Sequence, residues 1–197
     1  MAAKKKKGPE AWKAKKWYAI VAPKAFEEKQ IGETVSAEPG LLADRVVSTT
    51  LRELTGNISQ QHVQLHFRVK NVAGDRAETE IDGHEIHYGY LMRQLKRMHS
   101  VVKLVAPVTT QDGVRMMLTV ISYGRTKMTL DQKTQIRKIT AKYLESKAAA
   151  TPLDRFYQEL VFGKASSDIF KEVKRIYPVT KAEIVKSRVM REAKQEA

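Results

Sequence analysis

Two hydrophobic periods divide the chain: alternation dominates up to about residue 123, and helical spacing takes over after it. The clearest alternation is at 63–70. Val63, Leu65, Phe67 and Val69 face one side, and Gln64, His66, Arg68 and Lys70 the other. Gly74 and Asp75 mark a hairpin turn, with 76–87 as the returning strand. In a second hairpin, Val102, Leu104, Ala106 and Val108 alternate with Val101, Lys103 and Val105, 109–113 turn the chain, and 114–123 run back. Upstream, WYAIVA at 17–22 predicts a buried strand stopped by Pro23, and 32–37 a weaker strand. The β-branched stretch 45–54 reads as a strand in preference to a helix. Residues 89–98 predict a short helix with Leu91, Met92 and Leu95 inward and Arg93, Lys96 and Arg97 outward.

After Ser122 the pattern becomes helical. From Asp131 onward, Ile136, Ile139, Tyr143 and Leu144 share a face. Thr151 as cap, with Pro152 and Asp154 in the first turn, starts a second helix that ends at Gly163. Ser166 or Ser167 starts a third, with Ile169, Phe170, Val173 and Ile176 inward, until Pro178 stops it. Residues 182–190 predict a last strand placed to close the sheet. The expected fold is therefore α+β: a mainly antiparallel, strongly curved sheet or partly closed β-barrel with flanking helices, the longest in the C-terminal half. Residues 17–190 are expected to form a single globular domain. A basic arm at 1–16, disordered when free, and a charged frayed tail at 191–197 flank it.

Composition narrows the function. At 197 residues and 42% hydrophobic the chain can bury one good core. No apolar run approaches the roughly 20 residues that span a bilayer, and the lysine-rich start is unlike a secretory signal. With no cysteine there are no disulfides, thiolate metal sites or cysteine nucleophiles. Charge alters the picture most. The net is +14, distributed as +6 over residues 1–16, −4 over 17–90, +4 over 91–124, +5 over 125–150 and +3 over 151–197. The positive charge outside the arm points to a polyanion, because each docked Lys or Arg releases condensed counterions. Nucleic acid is the leading expectation, with an acidic protein partner, a membrane surface or a solvated basic face as the alternatives.

Catalytic signatures are missing. The chain has no phosphate loop, dinucleotide fingerprint or nucleophile elbow. His84 and His87 flank Glu85 but would face opposite sides of a strand, so they are expected to be polar strand-edge histidines and not metal ligands. Glu78, Glu80, Asp82 and Glu85 fit a solvated alternating face. The expectation is accordingly no catalytic residue, no metal, no cofactor and no small-molecule substrate. The candidate RNA-binding residues, chosen by charge, form six clusters: Lys4, Lys5, Lys6 and Lys7; Lys13, Lys15 and Lys16; Arg93, Lys96 and Arg97; Arg125 and Lys127; Lys133, Arg137 and Lys138; and Lys171, Lys174 and Arg175. Trp12 in the arm would stack on a base or cap the core. Aromatics are only 7%, with no paired aromatics on a strand, so backbone contacts to a folded RNA are expected over base stacking.

Several segments then occur in a familiar order. They are Thr79-Glu80-Ile81-Asp82-Gly83-His84-Glu85, the RxLxR of Arg93, Leu95 and Arg97, and TTxDG at 109–113. Gln135-Ile136-Arg137-Lys138 and the GK…SDIFKEVKRIYPV run at 163–179 complete the set. Together, over about residues 14 to 190, they resemble the S-three-Ae (S-one-e) family of small-subunit ribosomal proteins, and the short C-terminus resembles archaeal members. The resemblance implies a non-catalytic structural protein of the cytoplasmic ribosome. It would sit on the platform near the messenger exit, with small-subunit ribosomal RNA, neighbouring ribosomal proteins and messenger RNA near its exit as partners. The alternative is a non-ribosomal RNA- or DNA-binding regulator.

Overall fold

The structure, a computed structural model, describes residues 15–191. Lys4, Lys5, Lys6, Lys7, Trp12, Lys13 and the tail beyond Arg191 lie outside the described residues. The elements follow in the order β1 (Lys16–Val21), β2 (Gln30–Ser36), β3 (Val46–Thr50), α1 (Leu51–Thr55), β4 (Val63–Ala73), β5 (Arg76–Ile86), α2 (Tyr88–Gln94), β6 (Val101–Thr109), β7 (Arg115–Gly124), α3 (Leu130–Ala150), α4 (Leu153–Val161), α5 (Lys164–Lys174) and β8 (Val179–Met190).

The strands pair in the order β2-β1-β5-β8-β7-β6, with β4 pairing to both β3 and β5. β1 runs parallel to β5, whereas β1–β2, β5–β8, β6–β7 and β7–β8 are antiparallel. The α+β class holds, and the longest helix, α3, lies in the C-terminal half. The partly closed barrel does not: the path runs open from β2 to β6. β8 does not close the sheet as expected but inserts between β5 and β7. Its run of buried residues, Ala182, Glu183, Ile184 and Val185, is that of an interior strand. β6 cannot continue the ladder easily, since Pro107 brings no N–H and the Lys103 carbonyl already accepts from Arg137 Nε at 3.2 Å.

Among the described residues the chain forms two compact units, 15–49 with 66–81 and 50–65 with 82–191. In the first, Tyr18 and Ile20 of β1, Leu42, Val69 of β4 and Ala77 of β5 make the core, and Phe26 packs edge-on to Phe67 at 5.6 Å. β1 is not buried on both faces. Trp17 is 65% exposed while Tyr18 and Ile20 are covered, so the strand alternates. The expected strand at 45–54 is half right: β3 stops at Thr50 and α1 takes over in the second unit. Leu51 and Leu54, three residues apart, are both buried there, which suits one side of a helical turn.

In the second unit α3 packs on β6 and α5 on β8. Met116, Leu118 and Val120 of β7 are buried in this unit, as are Ile136, Leu144, Phe156, Tyr157, Ile169 and Val173. β5 and β8 approach so closely at Gly83 that a Cβ there would overlap the Ser187 carbonyl, while Tyr157 donates to the Gly83 carbonyl at 2.6 Å. His84 is fully buried, contrary to the strand-edge expectation. Its backbone N–H donates to Ser187 Oγ at 3.0 Å, Ser187 donates to its Nδ1 at 2.6 Å, and its Nε2 donates to the Ile184 carbonyl at 3.1 Å. The expected cap at Thr151 belongs to α3 instead, where its hydroxyl donates to the Lys147 carbonyl. α4 is capped from a distance by Asp112 in the β6–β7 turn, which accepts from Leu153 N at 2.6 Å. α5 begins at Lys164, two or three residues before the expected serines.

Candidate nucleic-acid interface

The segment between β7 and α3 carries Arg125 and Lys127, and its backbone is tied on two sides. From the 96–100 loop, Ser100 N donates to the Thr126 carbonyl at 3.1 Å, and the Ser100 carbonyl accepts from Gly124 N at 2.8 Å. Ser100 Oγ accepts from Met128 N at 2.9 Å, and His99 Nδ1 donates to the Gly124 carbonyl at 3.0 Å. From the α5–β8 link, the Pro178 carbonyl accepts from Arg125 N at 3.0 Å. Tyr177 donates to the Lys127 carbonyl at 3.0 Å and also pairs with Thr126 Oγ1. A Cβ at Gly124 would press on the terminal methyl of Met128 and lie close to the Ser100 carbonyl, so the segment packs tightly here. Arg125, Thr126 and Lys127 are all exposed on this tethered backbone.

The same segment leads directly into α3. Thr129 closes a capping box with Gln132: Gln132 N donates to Thr129 Oγ1 at 3.4 Å, and Thr129 N to Gln132 Oε1 at 3.0 Å. Ile136, Thr140, Leu144 and Ala148 form the buried row at four-residue spacing, with Ile139 and Tyr143 half-buried beside it. Lys138 is therefore exposed and Lys133 half-buried. Tyr143 donates to Asp168 at 3.1 Å, fixing α3 to α5; burial and the Asp168 charge push its phenol far above the ordinary tyrosine range.

The six charge clusters thus separate. Two lie wholly or partly outside the described residues; Lys15 and Lys16 are exposed at the start of the first unit. In the second unit, hydrogen bonds gather three backbones at one place: the loop after Arg93, Lys96 and Arg97, the Arg125 and Lys127 segment, and the link after Lys174 and Arg175. Among the described residues, Arg93, Lys96, Arg97, Arg125, Lys127, Lys133 and Lys138 make no ion pair. Arg137 differs: it is half-buried, with Nε clamping α3 to β6. Lys171 pairs with Asp168 at 3.4 Å and Arg175 with Glu172 at 3.2 Å, and Lys174 lies 5.7 Å over the Phe170 ring. These three cations are partly compensated by their own helix.

Other cations are structural. Glu159, nearly buried, holds Lys147 at 2.9 Å and Lys164 at 3.1 Å, joining α3, α4 and α5. The hydrogen bond from Lys147 holds the Glu159 carboxyl below the usual range. A cavity of about 400 Å³ in the second unit is lined in part by His62, Tyr90, Lys181 and Glu183. There His62 stacks on Tyr90 at 3.9 Å, Tyr90 donates to Glu183 at 3.0 Å, and Lys181 pairs with Glu183 at 2.6 Å. Burial lowers the His62 pKa, so its imidazole is neutral near pH 7. Lys181 and Glu183, the charged residues of the lining, thus pair with each other. Sequence reasoning missed both this cluster and the clamp residues Ser100, His99 and Tyr177. Apart from the Lys181–Glu183 pair, their partners lie 24 to 93 residues away, beyond the reach of local periodicity.

Known proteins resemble this chain over nearly its whole length. The family model for the Ribosomal S3Ae family matches residues 3–193. The chain is 40% identical over 180 residues to the small ribosomal subunit protein eS1 of Sulfurisphaera tokodaii, covering 91% of this chain and 93% of that one. To the protein of the same name from Saccharolobus islandicus (strain L.S.2.15) it is 41% identical over 180 residues, covering 91% and 86%. To that from Methanoculleus marisnigri it is 36% identical over 191 residues, covering 96% and 97%. With a match that runs from residue 3 to residue 193, the chain belongs to the Ribosomal S3Ae family.

Proposed function

We propose that the protein is a structural constituent of the small ribosomal subunit and holds ribosomal RNA through the segment between β7 and α3. The supporting observation is that Arg125 and Lys127 project from a backbone fixed by hydrogen bonds on two sides and make no ion pair among the described residues. Cations on a fixed backbone lose little freedom on docking to phosphates. Lys133 and Lys138 extend the same charge along α3. The names of its relatives support a place in the small ribosomal subunit; the cytoplasmic setting, the platform near the messenger exit, and ribosomal RNA and neighbouring ribosomal proteins as partners follow from the family resemblance. Messenger RNA near its exit belongs to the same reading. Lys15, Lys16, Lys174 and the N-terminal lysines would add further backbone contacts, since phosphate contacts position a protein without reading sequence.

The test is the salt dependence of binding to a small-subunit ribosomal RNA transcript. Replacing Arg125, Lys127, Lys133 and Lys138 with Gln lowers the log–log salt slope by up to about 0.9 for every duplex phosphate that is no longer neutralised. Replacing Lys171 and Arg175, which pair within their own helix, lowers it much less. Equal effects from both sets would refute the assignment of the interface to the β7–α3 segment.

A further inference from the structure

Residues 88–98, which form α2 and the turn after it, do not look like a phosphate-binding surface. Tyr88 and Met98 are each 70% exposed, Met92 45% and Leu95 43%. The sequence pattern places Leu91, Met92 and Leu95 on an inner face; the helix ends at Gln94 and Leu95 is already extended, so the four-residue spacing never operates. Arg93, Lys96 and Arg97 stand between these apolar side chains, and no acidic residue occurs between Glu85 and Asp112. Single exposed apolar residues are ordinary, but four large ones within eleven residues are a local concentration. Met98 is also held at φ 65°, a left-handed conformation that a bulky side chain resists. It is kept there because the next two residues, His99 and Ser100, are fixed to Gly124 and Thr126. Backbone strain of this kind gathers at binding sites.

We propose that residues 88–98 dock an acidic segment of a neighbouring protein, with Tyr88, Met92, Leu95 and Met98 as apolar anchors and Arg93, Lys96 and Arg97 as its charge complement. Phosphates reward the three cations but leave Met92, Leu95 and Met98 exposed. Protein interfaces, in contrast, are enriched in Tyr, Met and Arg together, and Met adapts its shape to a partner. The absence of any acid in the segment selects a partner that supplies the negative charge. The inference rests on the small-subunit reading only for where the neighbour is found.

The experiment uses full-length protein carrying the photocrosslinker p-benzoylphenylalanine in place of Met92, or separately of Lys138, in small subunits isolated by sedimentation. From position 92 the expected product survives ribonuclease and is lost to protease, and the attached partner peptide has more Asp and Glu than Lys and Arg. Adding Arg93→Glu and Arg97→Glu reduces that product to background, while the position 138 product, attached to RNA, is unchanged. A ribonuclease-sensitive product from position 92, a basic partner peptide, or no product from 92 when 138 reacts would each overturn the proposal. Failure of the small-subunit reading shows earlier and separately, as protein that never enters the subunit fraction.

Discussion

Tyr177→Phe isolates the contribution of the fixed backbone from that of charge. The substitution keeps the ring and removes one hydroxyl, which donates to the Lys127 carbonyl at 3.0 Å and pairs with Thr126 Oγ1. Both bonds are exposed, so the loss is at the low end for two hydrogen bonds, about 1 kcal/mol. For a domain of this size that corresponds to a Tm fall of about 2–4 °C by circular dichroism. Freeing Thr126 and Lys127 restores mobility that docking must remove again, costing about 0.5–1.5 kcal/mol of affinity for each ordered side chain. Filter binding to the ribosomal RNA transcript across a potassium chloride series should show weaker binding with an unchanged salt slope, since every cation is retained. A lower Tm with unchanged affinity would refute the idea that the tethered backbone matters for RNA. A changed slope would mean that Tyr177 affects which cations reach phosphate.

Two further substitutions test the scaffold. Asp112→Ala removes the acceptor for Leu153 N at the start of α4 and should cost about 1 kcal/mol in denaturant unfolding, the usual worth of a helix cap; no loss would mean that water replaces it. Glu159→Gln tests the ion-paired knot between α3, α4 and α5. The folded carboxyl is held below its unfolded value, so its stabilisation is complete above the unfolded pKa and lost as pH falls through the lower folded one. The variant should be less stable than the native chain at pH 7, with the gap closing as the solution is acidified; a gap independent of pH would contradict the pairing.

The parts of the fold legible in the sequence were those whose burial is one-sided and local. Val63, Leu65, Phe67 and Val69 are all buried at period two, and Val102, Ala106 and Val108 likewise. Ile136 and Leu144 of α3 lie where helical spacing puts them. Elements whose environment is set by distant chain were not legible. β8 looked like a closing strand, but covering by β5, β7 and α5 makes it interior. His84 looked polar, yet Ser187 and the Ile184 carbonyl satisfy both of its nitrogens over about a hundred residues of separation. Of the candidate site, charge revealed Arg125, Lys127, Lys133 and Lys138. It could not distinguish them from Arg137, Lys171 and Arg175, because hydrogen bonds and helical ion pairs, not composition, decide which cations are already engaged. The 88–98 segment was misread for a simpler reason: the helix stops before the spacing that would bury Leu95.

Sedimentation of cell extract through a sucrose gradient, with detection of this chain across the fractions, tests the central claim most directly. The account predicts that the chain migrates with the small subunit and leaves it as salt is raised, in keeping with attachment through phosphate contacts. Protein that remains at the top of a low-salt gradient while small subunits run normally would contradict it.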